Sequence, residues 1–465
     1  MSQPGTNIQP LRVAIIGAGP TGFYTAEHLF RQKELIVEID MFERLPFPYG
    51  LVRGGVAPDH QKIKSVTKVF DNIAANPRFR FYGNVEFGRH LTLTDLPAHY
   101  HQLVFTTGAQ TDRSLGIPGE DLAGSHAATE FVAWYNGHPD YRGRQFNLSA
   151  ERVVVIGVGN VAVDVARMLC RTPAELAQTD VPDYAIEALS RSRVKEVHLL
   201  GRRGPAQAAF TSPEIKELGE LADADITALP HEVTLDPLSQ AMLAQSNDRA
   251  TQKKVDILQD YAQRSVDSKL RRLVLRFLVS PVEIIGANGQ VTAIRLVKNE
   301  LYQTDDGRLQ ARPTGQFEDL PVGLVFRSVG YKGVALPGLP FDNKRGVIPN
   351  QQGRVFDPTT GQPVVGVYTA GWIKRGPSGI IGTNKPDAAE TVTAMLADLA
   401  QGVTLTPTQP DVATLELLVR QRQPQHLSYT DWQRLDAIEV ARGQVTGQPR
   451  VKFTCVEDML AALGR

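Results

Sequence analysis

Short apolar runs of strand length alternate along the chain with segments whose apolar residues recur at helical spacing. The first run, Val13 to Ile16, leads through a glycine-rich turn into a helical pattern from Phe23 to Phe30, and a second apolar run covers Val37 to Phe42. A strand, a tight turn, a helix and another strand in this order predict a βαβ unit with a parallel sheet. The pattern therefore indicates an α/β protein from the start of the chain.

The turn of this unit has the spacing Gly17-x-Gly19-x-x-Gly22. The first glycine permits the tight turn, the second lets the backbone approach a pyrophosphate, and the third allows close packing of helix and strand. Glu43 ends the second strand, where it is placed to accept hydrogen bonds from a ribose. We therefore predict a dinucleotide site here, with an ordinary βα turn that binds nothing as the alternative.

A second copy of the pattern begins with the strand Arg152 to Ile156. It continues through Gly157-Val-Gly159-Asn-Val-Ala162 into a helix face from Val163 to Leu169. Alanine at the third position is compatible with dinucleotide binding and occurs in NADP sites. The repeat predicts a second dinucleotide-binding domain.

The strand that follows the second copy, Val194 to Leu200, ends in Gly201-Arg202-Arg203. An NAD site would place an acidic residue at this position, whereas two arginines offer fork-shaped donors to a 2'-phosphate. The pair indicates NADP(H) rather than NAD(H). A solvated pair of charges at a strand end is the alternative.

A third glycine-rich stretch lies in the C-terminal part of the chain. The strand around Val364 is followed by residues 372–383, rich in glycine, and by a helix from Pro386. We expect this unit to return to the first domain, where the helix N-terminus can stabilise negative charge on a flavin ring. The Pro- and Gly-rich segment 46–60 is predicted as an ordered loop along the flavin. Other predicted elements are helices over 61–75 and 248–264 and strands over 80–85, 102–106 and within 273–297.

A chain of 465 residues is too long for one core, which suggests two or three domains. We expect two Rossmann-like dinucleotide-binding domains, with the NADP domain inserted into the FAD domain. The predicted boundaries are 1–110 for the first part of the FAD domain, 111–328 for the NADP domain, and 329–465 for the second part of the FAD domain with a C-terminal extension.

Charge and cysteine content exclude several classes of protein. The 50 basic and 50 acidic residues balance, so no global charge favours nucleic acid or an acidic membrane. The sequence shows neither a signal peptide nor a membrane span, and we expect a cytoplasmic protein. The two cysteines, Cys170 and Cys455, form no CxxC motif, which argues against a disulfide reductase and an iron-sulfur cluster. We expect both to be buried, and we predict no metal site.

Several ordered stretches carry a resemblance to a known family. The whole chain resembles the adrenodoxin-reductase type of ferredoxin:NADP reductase, a branch of the glutathione-reductase-like flavoproteins, and particularly its bacterial members. The matching stretches, which span residues from about 13 to 395, are GAGPTGFYTA, PYGLVRGGVAPDHQKIK, RFRFYGNV, GNVAVDVAR, GRRGPAQAAFTSPEIKEL, RSVGY and AGWIKRGPSGIIGTNKPDA. The later stretch VTGQPRVKF also fits.

The resemblance implies two sets of cofactor-binding residues. FAD would be held by the first glycine turn, which consists of Gly17, Gly19, Pro20, Thr21 and Gly22. The other predicted FAD-binding residues are Glu43, Leu51, Val85, Trp372, Gly379, Ile380 and Ile381. NADP would be held at Arg113, Gly159, Asn160, Val161, Ala162, Arg202, Arg203, Glu214 and Gly379. His60 and Glu217 match positions near the nicotinamide and are the candidate catalytic residues, with electrostatic or proton-handling roles. Alternatively, His60 caps the next helix and Glu217 lies on a solvated helix face.

The activity that the resemblance implies is that of an FAD-dependent ferredoxin:NADP+ oxidoreductase. A hydride would pass between NADP(H) and FAD, and single electrons between FAD and an acidic ferredoxin. A basic face formed by Arg249, Lys253 and Lys254, or by the group from Lys269 to Arg272, would meet that partner, unless these residues only form a solvated mixed-charge surface. The alternative activities are an NADPH-dependent flavin or quinone reductase and a non-catalytic FAD/NADP redox sensor.

Overall fold

The computed structural model describes residues 4–266 and 268–465. The strands are β1 (Leu11–Ile16), β2 (Val37–Phe42), β3 (Phe79–Tyr82), β4 (Gln102–Phe105), β5 (Thr111–Asp112), β6 (Ser125–Ala127), β7 (Arg152–Ile156), β8 (Glu196–Leu200), β9 (Ala224–Ala228), β10 (Arg271–Arg276), β11 (Val279–Ala287), β12 (Gln290–Gln303), β13 (Leu309–Pro321), β14 (Leu324–Arg327), β15 (Tyr331–Lys332), β16 (Asn350–Gln351), β17 (Arg354–Phe356) and β18 (Pro363–Thr369).

The α-helices are α1 (Pro20–Phe30), α2 (Leu51–Gly54), α3 (Gln61–Lys64), α4 (Thr67–Ala74), α5 (Ala128–Tyr135), α6 (Asn160–Cys170), α7 (Pro173–Leu176), α8 (Asp183–Ser190), α9 (Ser212–Leu218), α10 (Pro230–Val233), α11 (Pro237–Ser246), α12 (Arg249–Tyr261), α13 (Trp372–Arg375), α14 (Asn384–Ala400), α15 (Val412–Arg422), α16 (Tyr429–Thr446) and α17 (Val456–Ala462). Short 3-10 turns cover Leu96–Ala98, Pro139–Tyr141, Pro205–Gln207 and Ile381–Thr383. None of the helices in the described ranges combines the length and apolar character that crossing a bilayer requires.

The chain divides into two compact units. The first comprises Met1–Thr111, Asn136–Pro139 and Tyr331–Arg465, and the second comprises Asp112–Tyr135 and Asp140–Gly330. The predicted middle domain, 111–328, differs from the second unit chiefly at residues 136–139, which group with the first unit.

The first unit is built around a seven-stranded sheet in the order β16-β17-β18-β4-β1-β2-β3. Strands β18, β4, β1, β2 and β3 run parallel, while β17 and β16 are added antiparallel at one edge. Every residue of β1 is buried, as expected for a central strand of a parallel sheet that is covered on both faces. The chain order changes direction between β1 and β4, which creates a crevice at the carboxyl ends of these strands.

The second unit contains a six-stranded parallel sheet in the order β6-β14-β7-β8-β10-β9. Its strand β7 lies between β8 and β14, so the order again changes direction beside the strand that leads into a glycine turn. A separate antiparallel sheet, β11-β12-β13, is inserted in the chain between β10 and β14. The two sheets together confirm the predicted α/β class with Rossmann-like units.

The C-terminal helices complete the first unit. Ser428 caps α16 in a capping box with Asp431, in which each side chain accepts from the other residue's backbone N–H. Further along α16, the fully buried Glu439 accepts two hydrogen bonds from Arg53, at the end of α2, and a third from the backbone N–H of Phe453. Helix α16 therefore fixes the segment around α2.

Two local predictions were wrong in detail. The helix predicted over 61–75 is divided into α3 and α4, and the Ser65 hydroxyl donates to the carbonyl of Lys62 at 2.6 Å, in competition with the backbone pattern. The segment 46–60, predicted as a loop, contains the single turn of α2.

Candidate dinucleotide sites

The first glycine turn is closely packed at two of its glycines and open at the other. Gly17 has φ +107°, and a Cβ atom there would lie 2.8 Å from the carbonyl oxygen of Thr106. A Cβ at Gly22 would lie 2.3 Å from the carbonyl oxygen of Gly17, so both positions require glycine. At Gly19 the opposite holds, because among the described residues no atom apart from those of its neighbours in the chain lies within 4 Å of the Cβ position. The space beside Gly19, at the start of α1, is open to a ligand.

Glu43 is partly buried at the end of β2 and accepts two backbone hydrogen bonds. One comes from Ala18 within the glycine turn, at 3.0 Å, and the other from Leu45, at 3.1 Å. Burial raises the pKa of the Glu43 carboxyl, and the two amide donors act against that rise. Glu43 therefore shapes the turn itself, and its role in binding a ribose stays a prediction.

The segment after Glu43 is bonded directly to the same turn. Tyr49 donates its backbone N–H to the carbonyl of Ala18 at 2.7 Å and has a positive φ of 85°. Its hydroxyl meets Asp71 at 2.5 Å and Tyr429 at 2.9 Å, and these contacts hold the strained backbone. Leu51 follows at the start of α2 and is 36% exposed. Tyr49 thus fixes the segment to the glycine turn, and the next turn of the chain leaves the side chain of Leu51 partly exposed.

Val85 and the late glycine-rich stretch lie in the same unit. Val85 is buried and donates its N–H to the carbonyl of Glu43 at 2.9 Å. Gly371, with φ +79°, is so close to Thr21 that a Cβ there would lie 2.4 Å from the threonine hydroxyl. Trp372 follows it and donates from Nε1 to the carbonyl of Ser378 at 3.1 Å. Thr21, a predicted FAD residue, is thus in close contact with Gly371, the neighbour in sequence of the predicted FAD residue Trp372.

Residues 379–381 precede helix α14. Gly379 has φ +80° and Ile380 is 63% exposed, while Ile381 begins the 3-10 turn that leads into the helix. An exposed isoleucine beside a helix N-terminus offers an apolar surface and a positive dipole end to a flat ring. His60, also in this unit, is the N-cap residue of α3, and its side chain makes no capping hydrogen bond.

The second glycine turn, in the other unit, repeats the geometry of the first. Gly157 has φ +136°, and a Cβ there would lie 2.2 Å from the carbonyl oxygen of Ser328. Among the described residues, no atom apart from those of its neighbours in the chain lies within 4 Å of the Cβ position at Gly159. Asn160, followed by Val161 in the first turn of α6, accepts a hydrogen bond from the N–H of Thr211 at 3.0 Å. Ala162 is fully buried, so this turn accommodates a methyl group at its third position.

The two arginines lie at the end of β8. Within the described residues, neither Arg202 nor Arg203 has a carboxylate partner for its guanidinium. Burial, followed by the charge of Arg202, lowers the pKa of Arg203, which is the direction expected for neighbouring cations without a counterion. Two guanidiniums without a carboxylate partner beside a glycine turn are a pattern that suits an anionic ligand, as the sequence predicts.

A buried arginine that the sequence interpretation missed organises the acidic candidates. Arg167 on α6 is fully buried, and its guanidinium lies 2.6 Å from Asp164. It also lies 3.7 Å from a carboxylate oxygen of Glu214 and 3.8 Å from one of Glu217. Glu214 and Glu217 are three residues apart on α9 and therefore share a face of that helix. The motif GNVAVDVAR carried the signal, because its arginine interrupts the apolar side of α6.

The remaining predicted NADP residue, Arg113, donates its backbone N–H to the carbonyl of Gly330 at 3.0 Å. It lies in the second unit together with Glu214 and Glu217, whereas His60 lies in the first. The catalytic roles of His60 and Glu217 stay predictions.

Two surface predictions were wrong. Lys254, proposed for a basic face, is 8% exposed, and its ammonium donates to the carbonyl of Ala208 at 2.5 Å. It lies among the buried residues of α12, whose apolar side includes Val255 and Leu258. Cys455, predicted as buried, is only partly so and contacts Glu457, whereas Cys170 is buried as predicted, which raises its pKa to about 12.

Two βαβ glycine turns, one followed by an acid and the other by an arginine pair, define a flavoprotein oxidoreductase with two dinucleotide sites. The chain belongs to the adrenodoxin-reductase type of NADPH-ferredoxin reductases. The family model that matches residues 11–227 is described as pyridine nucleotide-disulphide oxidoreductase.

Relatives match over nearly the whole chain. An NADPH-ferredoxin reductase, FprA, of Mycobacterium leprae is 44% identical over 453 residues, which cover 96% of this chain and 97% of the relative. The human mitochondrial NADPH:adrenodoxin oxidoreductase is 40% identical over 97% of this chain and 92% of its own. The structure of Mycobacterium tuberculosis FprA in complex with NADPH matches with a TM-score of 0.92 and 43% identity, covering 98% of this chain and all of the other.

Proposed function

We propose that this protein is an FAD-dependent ferredoxin:NADP+ oxidoreductase, which transfers a hydride between NADP(H) and FAD and single electrons between FAD and an iron-sulfur protein. The observation that carries the proposal is the pair Arg202 and Arg203, two guanidiniums without a carboxylate partner among the described residues, beside the second glycine turn. Only an anionic group such as the 2'-phosphate of NADP(H) complements this pair.

The residues present fit both cofactors. The open space at Gly19 and at Gly159 lets a pyrophosphate approach the backbone, and the helices α1 and α6 direct their N-termini toward that space. We assign FAD to the first turn because Glu43 can accept from a ribose, whereas a 2'-phosphate would be repelled by its carboxylate. NADP(H) belongs at the second turn, where the arginines attract that phosphate.

FAD, when bound, accepts electrons in pairs and releases them singly. The contribution of the chain to this chemistry is positioning and electrostatics. The segment from Gly379 to Ile381 provides an apolar contact and the N-terminus of α14 for the isoalloxazine ring. Arg167 holds Glu214 and Glu217 at defined places on α9, and we infer that Glu214 contacts NADP(H) and that Glu217, with His60, modulates hydride transfer.

The partner is an iron-sulfur protein of the ferredoxin type, and we infer that it is acidic. Arg249 and Lys253, both exposed on α12, provide part of a basic surface in the second unit, to which Lys254 does not contribute. A complex of opposite charges associates faster at low ionic strength. We place the reaction in the cytoplasm, an inference supported by the two cysteines, both of which are free thiols.

The experiment that tests this function is stopped-flow reduction of the FAD-loaded protein by NADPH and, as the matched control, by NADH. The reduced protein is then mixed with a ferredoxin, with cytochrome c as the final acceptor. We expect faster flavin reduction by NADPH and cytochrome c reduction that depends on the ferredoxin concentration.

Two other outcomes would contradict the proposal, and each would favour a different function. Cytochrome c reduction that is independent of ferredoxin would indicate a reductase for flavins or quinones. Slow flavin reduction by both coenzymes would indicate a redox sensor without turnover.

A further inference from the structure

The segment Gly201–Arg203 is held by an unusual set of contacts within the second unit. All three of its carbonyl oxygens accept hydrogen bonds from the region that contains the antiparallel sheet. The donors, in order, are the backbone N–H of Val279 at 3.1 Å, the side-chain amide Nδ2 of Asn299 at 2.9 Å and the backbone N–H of Leu278 at 3.2 Å. The arginine segment is thus fixed from one side at three successive peptide groups, and only the middle contact depends on a side chain.

The backbone donor Leu278 has a conformation that leucine rarely adopts. Its φ is +55°, in the left-handed region, and together with Phe277 it joins β10 to β11. A branched side chain in this region is strained, and such strain persists only where surrounding contacts fix it. Here the turn directs two successive N–H groups, those of Leu278 and Val279, at the arginine segment.

Asn299 is oriented by an irregularity in its strand. The pairing of β12 with β13 shifts register between Val297 and Asn299, and such irregularities redirect side chains. Its backbone N–H donates to the carbonyl of Leu278 at 2.7 Å, while its amide Nδ2 reaches both the carbonyl of Arg202 and the hydroxyl of Ser280, the latter at 2.8 Å. The residue is 8% exposed, so water does not compete freely for these contacts.

Arg202 and Asn299 also line the same cavity, which has a volume of about 700 Å³. Its other walls come from β11, β12 and β13, including Phe317, which is 62% exposed. Arg202 is exposed and borders this open cavity. Its backbone carbonyl is held by Asn299, which lines the same cavity.

We propose that Asn299 is a positioning residue for recognition of the 2'-phosphate: by fixing the carbonyl of Arg202, it orients the guanidinium that discriminates NADP(H) from NAD(H). The inference rests on the proposed function. A guanidinium has several rotatable bonds, and fixing the peptide from which it extends reduces the conformational freedom that is lost when it binds a phosphate.

The test compares the Asn299→Leu variant of the full-length, FAD-loaded protein with the wild type. Leucine has a similar size but no donor for Arg202. The matched control is Ser280→Ala, which removes the other acceptor of the Asn299 amide and leaves its contact with Arg202 intact. Titration calorimetry with 2',5'-ADP and with 5'-AMP measures recognition of the phosphate without any redox step.

We expect Asn299→Leu to weaken 2',5'-ADP binding by about 3- to 10-fold, the range for loss of one hydrogen bond, and to leave 5'-AMP binding unchanged. Ser280→Ala should bind both as the wild type does. In steady-state turnover, the KM for NADPH should rise while kcat stays the same. In an Arg202→Ala background, Asn299→Leu should have no further effect on 2',5'-ADP binding, because the side chain that Asn299 orients is gone.

Wild-type discrimination retained in Asn299→Leu would overturn this inference and leave the proposed function standing. Equal weakening of both nucleotides would also overturn it, since Asn299 would then support the fold in general. A wild-type protein that does not prefer 2',5'-ADP over 5'-AMP would instead overturn the NADP(H) assignment, and this inference with it. If Asn299→Leu does not fold, Asn299→Ala decides between the same outcomes, because its smaller side chain faces an existing cavity.

Discussion

The two glycine turns are nearly identical in backbone and opposite in the charge of the side chains beside them. In each, the first glycine has a positive φ and closely approaches a carbonyl at the end of a neighbouring strand, that of Thr106 in one unit and of Ser328 in the other. In each, the second glycine faces open space. The backbone of the two turns therefore has the same shape at the first two glycines. That shape alone cannot distinguish one dinucleotide from another.

The difference lies at the end of the next strand. The Glu43 carboxylate accepts from the N–H of Ala18 in its own glycine turn and from that of Leu45, whereas Arg202 and Arg203 have no carboxylate partner among the residues described. The third position of the turn differs as well, because Gly22 is pressed against a backbone carbonyl while Ala162 has room for its methyl group. The comparison supports the proposal that the backbone of each turn meets a pyrophosphate and that a few side chains select the coenzyme.

The largest effect is expected from adding a methyl group to the second turn. Gly157→Ala places a Cβ atom 2.2 Å from the carbonyl of Ser328, at a φ that alanine rarely adopts. We expect a loss of about 2–4 kcal/mol in the free energy of unfolding, measured by chemical denaturation. Gly159→Ala is the matched control, since its Cβ enters open space. It should keep the stability of the wild type and lose affinity for NADP+, because the methyl group occupies the place of the pyrophosphate.

If Gly157→Ala and Gly159→Ala lowered the free energy of unfolding equally, Gly159 would be needed for folding. The proposal that both turns leave space for a pyrophosphate at their second glycine would then be wrong.

A smaller effect is expected from the acid beside the first turn. Glu43→Gln places an amide NH2 against one of two backbone donors, those of Ala18 or Leu45, which costs about 1–3 kcal/mol. Thermal denaturation of the apoprotein measures this loss, and the FAD content after purification should fall with it. Glu34→Gln, an exposed acid that precedes the same strand, should change neither quantity. An unchanged melting temperature in Glu43→Gln would show that the carboxylate does not support the turn.

The sequence was sufficient wherever local pattern determines structure. Strands β2 and β7 begin and end where the apolar runs predict, and both glycine turns lie at the ends of the strands that precede them. Here the spacing of apolar residues and the steric demands of glycine act within a few residues of each other.

The remainder depends on contacts between distant residues. Lys254 is buried because a carbonyl from residue 208 accepts its ammonium group, and Arg167 is buried because α9 supplies carboxylates to it. The antiparallel sheet extends to Pro321, well beyond the predicted stretch, and its residue Asn299 reaches Arg202, 97 positions earlier. No local sequence pattern identifies such partners, because residues far apart in the chain meet only in the folded structure.

The proposed choice of coenzyme depends on the arginine pair Arg202 and Arg203. The most direct measurement is the dissociation constants of NADP+ and NAD+ for the wild type and for Arg202→Ala/Arg203→Ala. Arg249→Ala/Lys253→Ala serves as the control for the loss of two positive charges from the same unit. We predict that the wild type and the control prefer NADP+, and that the arginine variant binds both coenzymes equally and NAD+ as the wild type does. A preference for NADP+ that survives loss of both arginines would contradict the account.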